Sequence, residues 1–203
     1  MADQLDPDAA LMLRVKQGDA EAFEELVEKY KRPVLNLVYR IIGDPTEAED
    51  VAQNVFVQVF KSADRYRVSA KFSTWLFTIA RNLCLNEIRR RKRHPADSLD
   101  APTFNDEEPR QYQDQKTAAP GENLAESELI SKIAEAVHDL PENQRTALLL
   151  FRDQELAYED ISEVIGCSLS ATKSLIHRAR ETLKARLKPY LKKGDWQTEK
   201  EKL

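Results

Sequence analysis

Residues 158–187 read YEDISEVIGCSLSATKSLIHRARETLKARL, and this stretch decides the fold. A short periodic run, 158–165, meets Gly166-Cys167-Ser168, and a long basic segment follows from 169 to about 187. A short helix, a tight glycine turn and a longer basic helix form the pattern of a helix-turn-helix. Along the long segment Leu169, Thr172, Ile176, Ala179, Leu183 and Leu187 recur at spacings of three and four, which marks the buried side. Lys173, Ser174, His177, Arg178 and Arg180 then fall on the opposite or flanking sides. The N-terminal part of such a helix enters the major groove, about 12 Å wide, where Lys and Arg donate to guanine O6 and N7. Ser174 and His177 can serve several base edges. Lys184, Arg186 and Lys188 lie further along and suit phosphates, which fix register without reading sequence.

Upstream of this motif, 124–140 is periodic through Leu129, Ile133, Ala136, Val137 and Leu140. Pro141 is placed to open a further helix, 142–152, with Leu148, Leu149 and Phe151 for core. Before that, 95–127 holds four of the nine prolines and many Asp, Glu, Gln and Asn, with no helical or alternating period. This is the composition of an extended tether, too poor in apolar side chains to offset the entropy of ordering.

The N-terminal part punctuates itself. Asp6-Pro7 opens a first helix, with proline where a missing N–H costs nothing, and Gly18 closes it. Asp19 caps a second, whose apolar face runs Phe23, Leu26, Val27, Tyr30, Val34, Leu37, Val38 and Ile41. Pro33 is expected to kink it or to join two helices, and Gly43 to end it. Asp44-Pro45-Thr46-Glu47 combines cap, first-turn proline and capping-box glutamate. The helix that follows carries Val51, Val55 and Val59 inward, with Phe56 and Phe60 one step round. Glu49, Asp50, Gln53, Asn54 and Gln58 show on its other side. An irregular stretch, 62–71, precedes a last helix from 72 to about 93, with Phe72, Leu76, Ile79 and Leu83 on one face.

The expected fold is therefore all-α: two small helical domains, 1–94 and 128–193, joined by an acidic, proline-containing linker, 95–127, with a tail, 194–203. The net charge of −4 hides a strong segregation. Residues 65–94 carry +8 and 167–193 carry +7, whereas 1–64, 95–127 and 128–166 carry −6 each. Two basic blocks in an acidic chain suggest two polyanion-binding surfaces, with acidic surfaces left for other partners. In the first block Tyr66, Phe72, Trp75 and Phe77 are interleaved with the cations. Cations neutralise phosphates while aromatic faces stack on unpaired bases, which suits single-stranded nucleic acid. Phe72 and Trp75 also fit the core; Tyr66, in the irregular stretch, is the better candidate for a base contact.

At 203 residues, 33% charged and with 5 glycines, the chain does not suit a β-sandwich, which needs turn residues at short intervals. No apolar run approaches the ~18 residues of a membrane span, and the N-terminus lacks signal-peptide character, so a cytoplasmic location is expected. Cys84 and Cys167 stand apart from the histidines and read as small buried hydrophobes. The sequence presents no metal-ligand cluster, Walker loop or nucleophile–base set, so neither a cofactor nor catalysis is expected.

These features resemble the extracytoplasmic-function sigma factors, the two-domain promoter-recognition subunits of bacterial RNA polymerase. The resemblance is carried by DAEAFEELVEKYKRPVLNLVYRIIGD at 19–44, AEDVAQNVFVQVFK at 48–61 and KFSTWLFTIARNLCLNEIRRRKR at 71–93. In the second half it is carried by LPENQRTALLLFRDQELAYEDISEVIGCSLSATKSLIHRARETLKARL at 140–187. It implies that Glu49, Asp50, Gln53, Asn54 and Val57 dock on the clamp helices of the polymerase's largest subunit, and that the second-largest subunit's flap meets the other domain. It implies that Arg65, Tyr66, Arg67, Lys71, Ser73, Arg81, Asn82, Asn86, Arg89 and Arg90 face the −10 element, where a base is flipped from the non-template strand. Ser170, Lys173, Ser174, His177, Arg178 and Arg180 match positions that read the −35 element. The linker resembles the segment that threads the polymerase's active-centre cleft and RNA exit path.

Thr78-Ile79 stands where housekeeping relatives carry adjacent tryptophans, which implies weaker melting and stricter promoter choice. The resemblance implies no counterpart of the first and third regions of larger sigma factors, and the family's usual regulator, an anti-sigma factor, is expected as a partner. An alternative reading is a helix-turn-helix regulator that binds duplex DNA without polymerase. It leaves the FSTWLFTIARN stretch and the acidic linker unexplained.

Overall fold

The computed structural model describes residues 5–93 and 123–193. Among them the regular structure is helical: α1 (Pro7–Lys16), α2 (Ala20–Ile42), α3 (Pro45–Lys61), a 3-10 turn (Ala63–Arg65), α4 (Phe72–Arg93), α5 (Asn123–His138), α6 (Glu142–Asp153), α7 (Tyr158–Ile165) and α8 (Leu169–Lys193). The predicted linker lies outside the described residues as far as 122, and 123–127 belong to α5. The predicted tail lies outside them altogether.

Local chemistry sets the boundaries. Asp6 caps α1 by accepting from Asp8 N, Asp19 caps α2 at Ala22 N (3.0 Å), and Asp44 caps α3 at Glu47 N (2.8 Å). Asp6 also acts at a second helix, since its other oxygen accepts from Phe72 N at 2.8 Å, the first amide of α4. Gly43 ends α2 at φ +84°, a left-handed conformation that a side chain resists. Pro33 does not divide α2, which runs unbroken through it. Packing of its buried face, from Ala22 to Ile42, outweighs one lost backbone bond. Glu47 does not act as the back-reaching capping-box residue; Arg91 of α4 binds its carboxylate instead.

In the first half α1, α2, α3 and α4 enclose Met12, Leu26, Leu37, Ile41, Phe72, Leu76 and Phe77, all almost wholly buried. Each large apolar side chain so buried stabilises the fold by about 1.5–3 kcal/mol. In the second half α5, α6, α7 and α8 surround Leu149, Leu150, Ile161 and Ile176. The apolar interior is continuous between the halves: α4 packs on α7, and α2 on α5 and α6.

One arginine, Arg145, ties this joint at the C-terminal end of α2, and a second, Arg91 of α4, reaches the same helix end from within the first half. Arg145 of α6 donates to Ile41 O at 2.8 Å, and Arg91 donates to Ile42 O at 3.4 Å. Cations are favoured there by the helix dipole and by carbonyls that lack helical partners. The His138 ring lies beside them, so close to Gly43 that a Cβ at that position would come within 2.8 Å of its Cε1.

Candidate nucleic-acid and partner interfaces

The helix-turn-helix closes as its residues require. Gly166, at φ +74°, turns the chain after α7, and its N–H and that of Cys167 both return to Ser162 O. Ser168 Oγ then accepts from Ala171 N and opens α8. Thr172, Ile176 and Ala179 are buried beneath α8, and Leu169, Leu183 and Leu187 are half-buried. Ser170, Lys173, Ser174, His177, Arg178 and Arg180 are all exposed. Two of these cations rest on aromatic rings that are themselves stacked, Phe151 on Tyr158 at 5.0 Å. Lys173 Nζ lies 5.8 Å from the Tyr158 centroid and the Arg180 guanidinium 4.9 Å from that of Phe151. The shelf limits the arcs through which two long side chains move, a feature that periodicity alone did not reveal.

On α3 the outward face shows Glu49, Asp50, Gln53, Asn54 and Val57, all exposed. Phe60 belongs to the same face, at 59% exposure, and rests edgewise on Phe23 with centroids 5.2 Å apart. Sequence reading placed Phe60 one step round from the core; its spacing from Val57 and Gln53 was the overlooked signal. The exposed aromatic and the exposed valine thus lie together on an otherwise polar helix face. A groove runs from this face to α4, with Asn54, Val57, Gln58 and Lys61 on one side and Leu83, Asn86, Arg90 and Arg93 on the other.

Of the residues expected at single-stranded DNA, Arg65, Arg67, Lys71, Asn82, Asn86, Arg89 and Arg90 are exposed, and Ser73 and Arg81 are half-buried. Arg90 pairs with Glu87 at 2.8 Å. Arg91, in the middle of the basic run, turns inward to Glu47 and serves the fold.

Tyr66 requires a correction, because its ring is not offered to a base in this structure. It is 3% exposed and packs edge-on against Trp75 at 4.9 Å and Phe72 at 6.4 Å. Three aromatics gain more by clustering in the core than one gains in water. Its hydroxyl has no hydrogen-bond partner among the described residues, and burial, ahead of the nearby Asp6 and Asp8 carboxylates, pushes the phenol up to about 12. Cys84 fits its expected role: burial pushes its thiol up to about 12, which keeps it protonated and unreactive. Cys167 is only half-buried, with Sγ 3.2 Å from Thr172 Oγ1.

Comparison with known proteins matches two family models in order along the chain. The Sigma-70 region 2 model covers residues 26–94 and the Sigma-70 region 4 model covers 130–183. The chain belongs to the sigma-70 family. Its relatives place this sigma factor in the extracytoplasmic-function group. It is 35% identical to the RNA polymerase sigma-H factor of Pseudomonas aeruginosa, over 92% of this chain and 97% of that one. It is 34% identical to the extracytoplasmic-function sigma factor SigW of Bacillus subtilis, over 86% and 94% of the respective chains. In fold it is similar to CnrH, solved in complex with the cytosolic domain of CnrY, with a TM-score of 0.66 at 23% identity, over 91% of this chain and 99% of that one. Among the described residues no helix is long and apolar enough to cross a membrane, and no group of three or more His, Cys, Asp or Glu is placed to hold a metal ion.

Proposed function

We propose that this sigma factor binds the RNA polymerase core through the outward face of α3 and directs it to promoters through α4 and α8. On this reading Glu49, Asp50, Gln53, Asn54, Val57 and Phe60 meet the clamp helices of the largest subunit. The 65–71 segment and α4 capture the melted −10 strand through Arg65, Arg67, Lys71, Arg81, Asn82, Asn86 and Arg89, where flipping a base costs a few kcal/mol. The exposed face of α8 reads the −35 duplex with Ser170, Lys173, Ser174, His177, Arg178 and Arg180. The regions 1–94 and 128–193 act as the two DNA-binding modules, and 95–127 spans the polymerase cleft between them. The protein works in the cytoplasm and is held in check by an anti-sigma factor.

The observation that carries this reading is the α3 face. A helix-turn-helix regulator acting alone would need this exposed Val57–Phe60 surface, bordered by carboxylates and amides, for sensing or self-association instead, and leaves the FSTWLFTIARN stretch without a role. Run-off transcription with purified core polymerase on promoters from the same genome tests it. Start-site-specific transcripts that require this chain are the expected result. Specific duplex binding without polymerase, and no defined start sites with it, would overturn the reading in favour of a free-standing regulator.

A further inference from the structure

The corner between α6 and α7 is held in a conformation that its own residues do not favour. Glu155 stands at φ +51°, the one residue other than glycine with a positive φ among those described. L-residues resist that region because Cβ crowds the following carbonyl. Ala157, at the N-cap of α7, offers no side-chain acceptor to the helix it opens. Leu156 N–H reaches back to Leu150 O at 3.2 Å, and its side chain is buried, so packing closes the turn in place of local chemistry. The corner brings Phe151, in the last turn of α6, flat against Tyr158, the first residue of α7. Their centroids are 5.0 Å apart and their planes 21° from parallel. Strain that persists in a folded chain points to a use for the geometry it maintains.

The stacked rings carry two cations. Lys173 Nζ lies over Tyr158 and the Arg180 guanidinium over Phe151. These cations are seven residues apart, about two turns of α8, and so form one row along its flank. The row lies about a quarter-turn round the helix from Ser170 and Ser174, and across them from Arg178. The kind of restraint matters for charge. Elsewhere Arg14, Arg90 and Arg186 are held by the carboxylates of Asp19, Glu87 and Asp139, which cancel the charge they restrain. A ring restrains a cation and leaves its charge intact. Lys173 and Arg180 are therefore partly ordered yet still fully positive, which lowers the entropy lost when they meet a phosphate.

We propose that Phe151 and Tyr158 are positioning residues for promoter binding, a shelf that presets Lys173 and Arg180 as a sequence-independent clamp on phosphates beside the groove that α8 enters. Sequence choice then falls to Ser170, Ser174, His177 and Arg178. The proposal rests on the reading of the exposed α8 face as the −35 contact, and it divides that face into a fixed flank and an adaptable front. Phosphate contacts set register, and base contacts set preference. The strained corner at Glu155 acts on DNA only through the two cations that its rings hold.

Holoenzyme made from the full chain and purified core polymerase tests this. The probe is a fluorescent duplex promoter fragment that the parent chain transcribes, together with copies altered at single base pairs of the −35 element. Binding is read by anisotropy at several salt concentrations. Tyr158→Leu is expected to weaken binding about two- to fivefold, the worth of one exposed cation–ring contact. The loss is expected to be equal on every −35 sequence, with the salt slope unchanged because the charge of Lys173 remains. Tyr158→Phe, which keeps the ring, is expected to bind like the parent. Lys173→Gln is expected to lower the salt slope by about one and to make a further Tyr158→Leu change silent. Phe151→Leu with Arg180→Gln repeats the cycle at the other ring and replaces the first pair if Tyr158→Leu does not fold. Parent-like binding by Tyr158→Leu overturns the shelf. An equal loss in the Lys173→Gln background, or a loss confined to particular −35 sequences, overturns it too. If Lys173→Gln and Arg180→Gln both leave affinity and salt slope unchanged, the α8 reading itself fails at these residues, whatever the rings do.

Discussion

Replacing Arg145 by methionine isolates the polar knot at the joint of the two halves. Methionine keeps most of the stem's volume and removes the guanidinium, which donates to Ile41 O at 2.8 Å, to His138 Nδ1 at 3.1 Å and to Leu140 O at 3.4 Å. The last contact is long and contributes little. The first is a charged donor on a helix-end carbonyl, and its loss costs about 1.5–3 kcal/mol because the carbonyl stays at the joint without that donor. Loss of a cation from the α2 C-terminus adds up to about 1 kcal/mol. A total of about 2–4 kcal/mol is expected, read as a lower urea midpoint at unchanged slope. A second signal comes from His138. Burial, and after it the Arg145 charge, hold this imidazole below its ordinary value of 6.5. With the guanidinium gone its titration, followed by NMR, moves upward while burial keeps it depressed. A midpoint change worth less than about 0.5 kcal/mol, the range of an ordinary surface substitution, together with an unmoved His138 titration, refutes the reasoning.

Reversing the charge at exposed Asp50 with Asp50→Lys is expected to abolish co-elution with core polymerase and leave thermal unfolding unchanged; retained co-elution removes α3 as the docking face. Arg178→Ala is expected to cost about 1–3 kcal/mol on particular −35 sequences if the side chain reads a base. A loss uniform across sequences in a binding titration makes it a phosphate contact. Because the folded chain lowers the His138 pKa, stability is full above about pH 6.5 and falls as the pH drops from there through the lowered value, where the unfolded chain takes up a proton that the folded chain resists. His138→Gln is expected to flatten that decline in melting curves between roughly pH 7.5 and 5.5, and an equal decline in both proteins counts against it.

The helix ends were legible because each depends on neighbours in the chain. Asp19, Asp44-Pro45, Gly43 and Gly166 act within four residues of themselves, and α7 begins and ends where the glycine turn and the periodicity placed it. The exposed faces of α3 and α8 were legible for the same reason. What escaped was long-range. Arg40 with Asp153, Lys71 with Asp160 and Arg81 with Asn143 pair across the joint, and no local pattern links residues so far apart. Tyr66 was misplaced because its surroundings in sequence are basic and its surroundings in space are aromatic. Glu47 and Arg91 each had a plausible local or solvent-facing role, and each lost it to the other.

One carboxylate, Asp6, starts both the first and the fourth helix. Trimming the leading residues, or fusing a bulky tag close to them, would therefore be felt at a distance. Phe72 would lose an amide partner, and the 62–71 segment just before it, which the proposed function sets against the melted strand, would lose its anchor. Tagged preparations of this chain are best compared with untagged ones before weak transcription is blamed on the promoter.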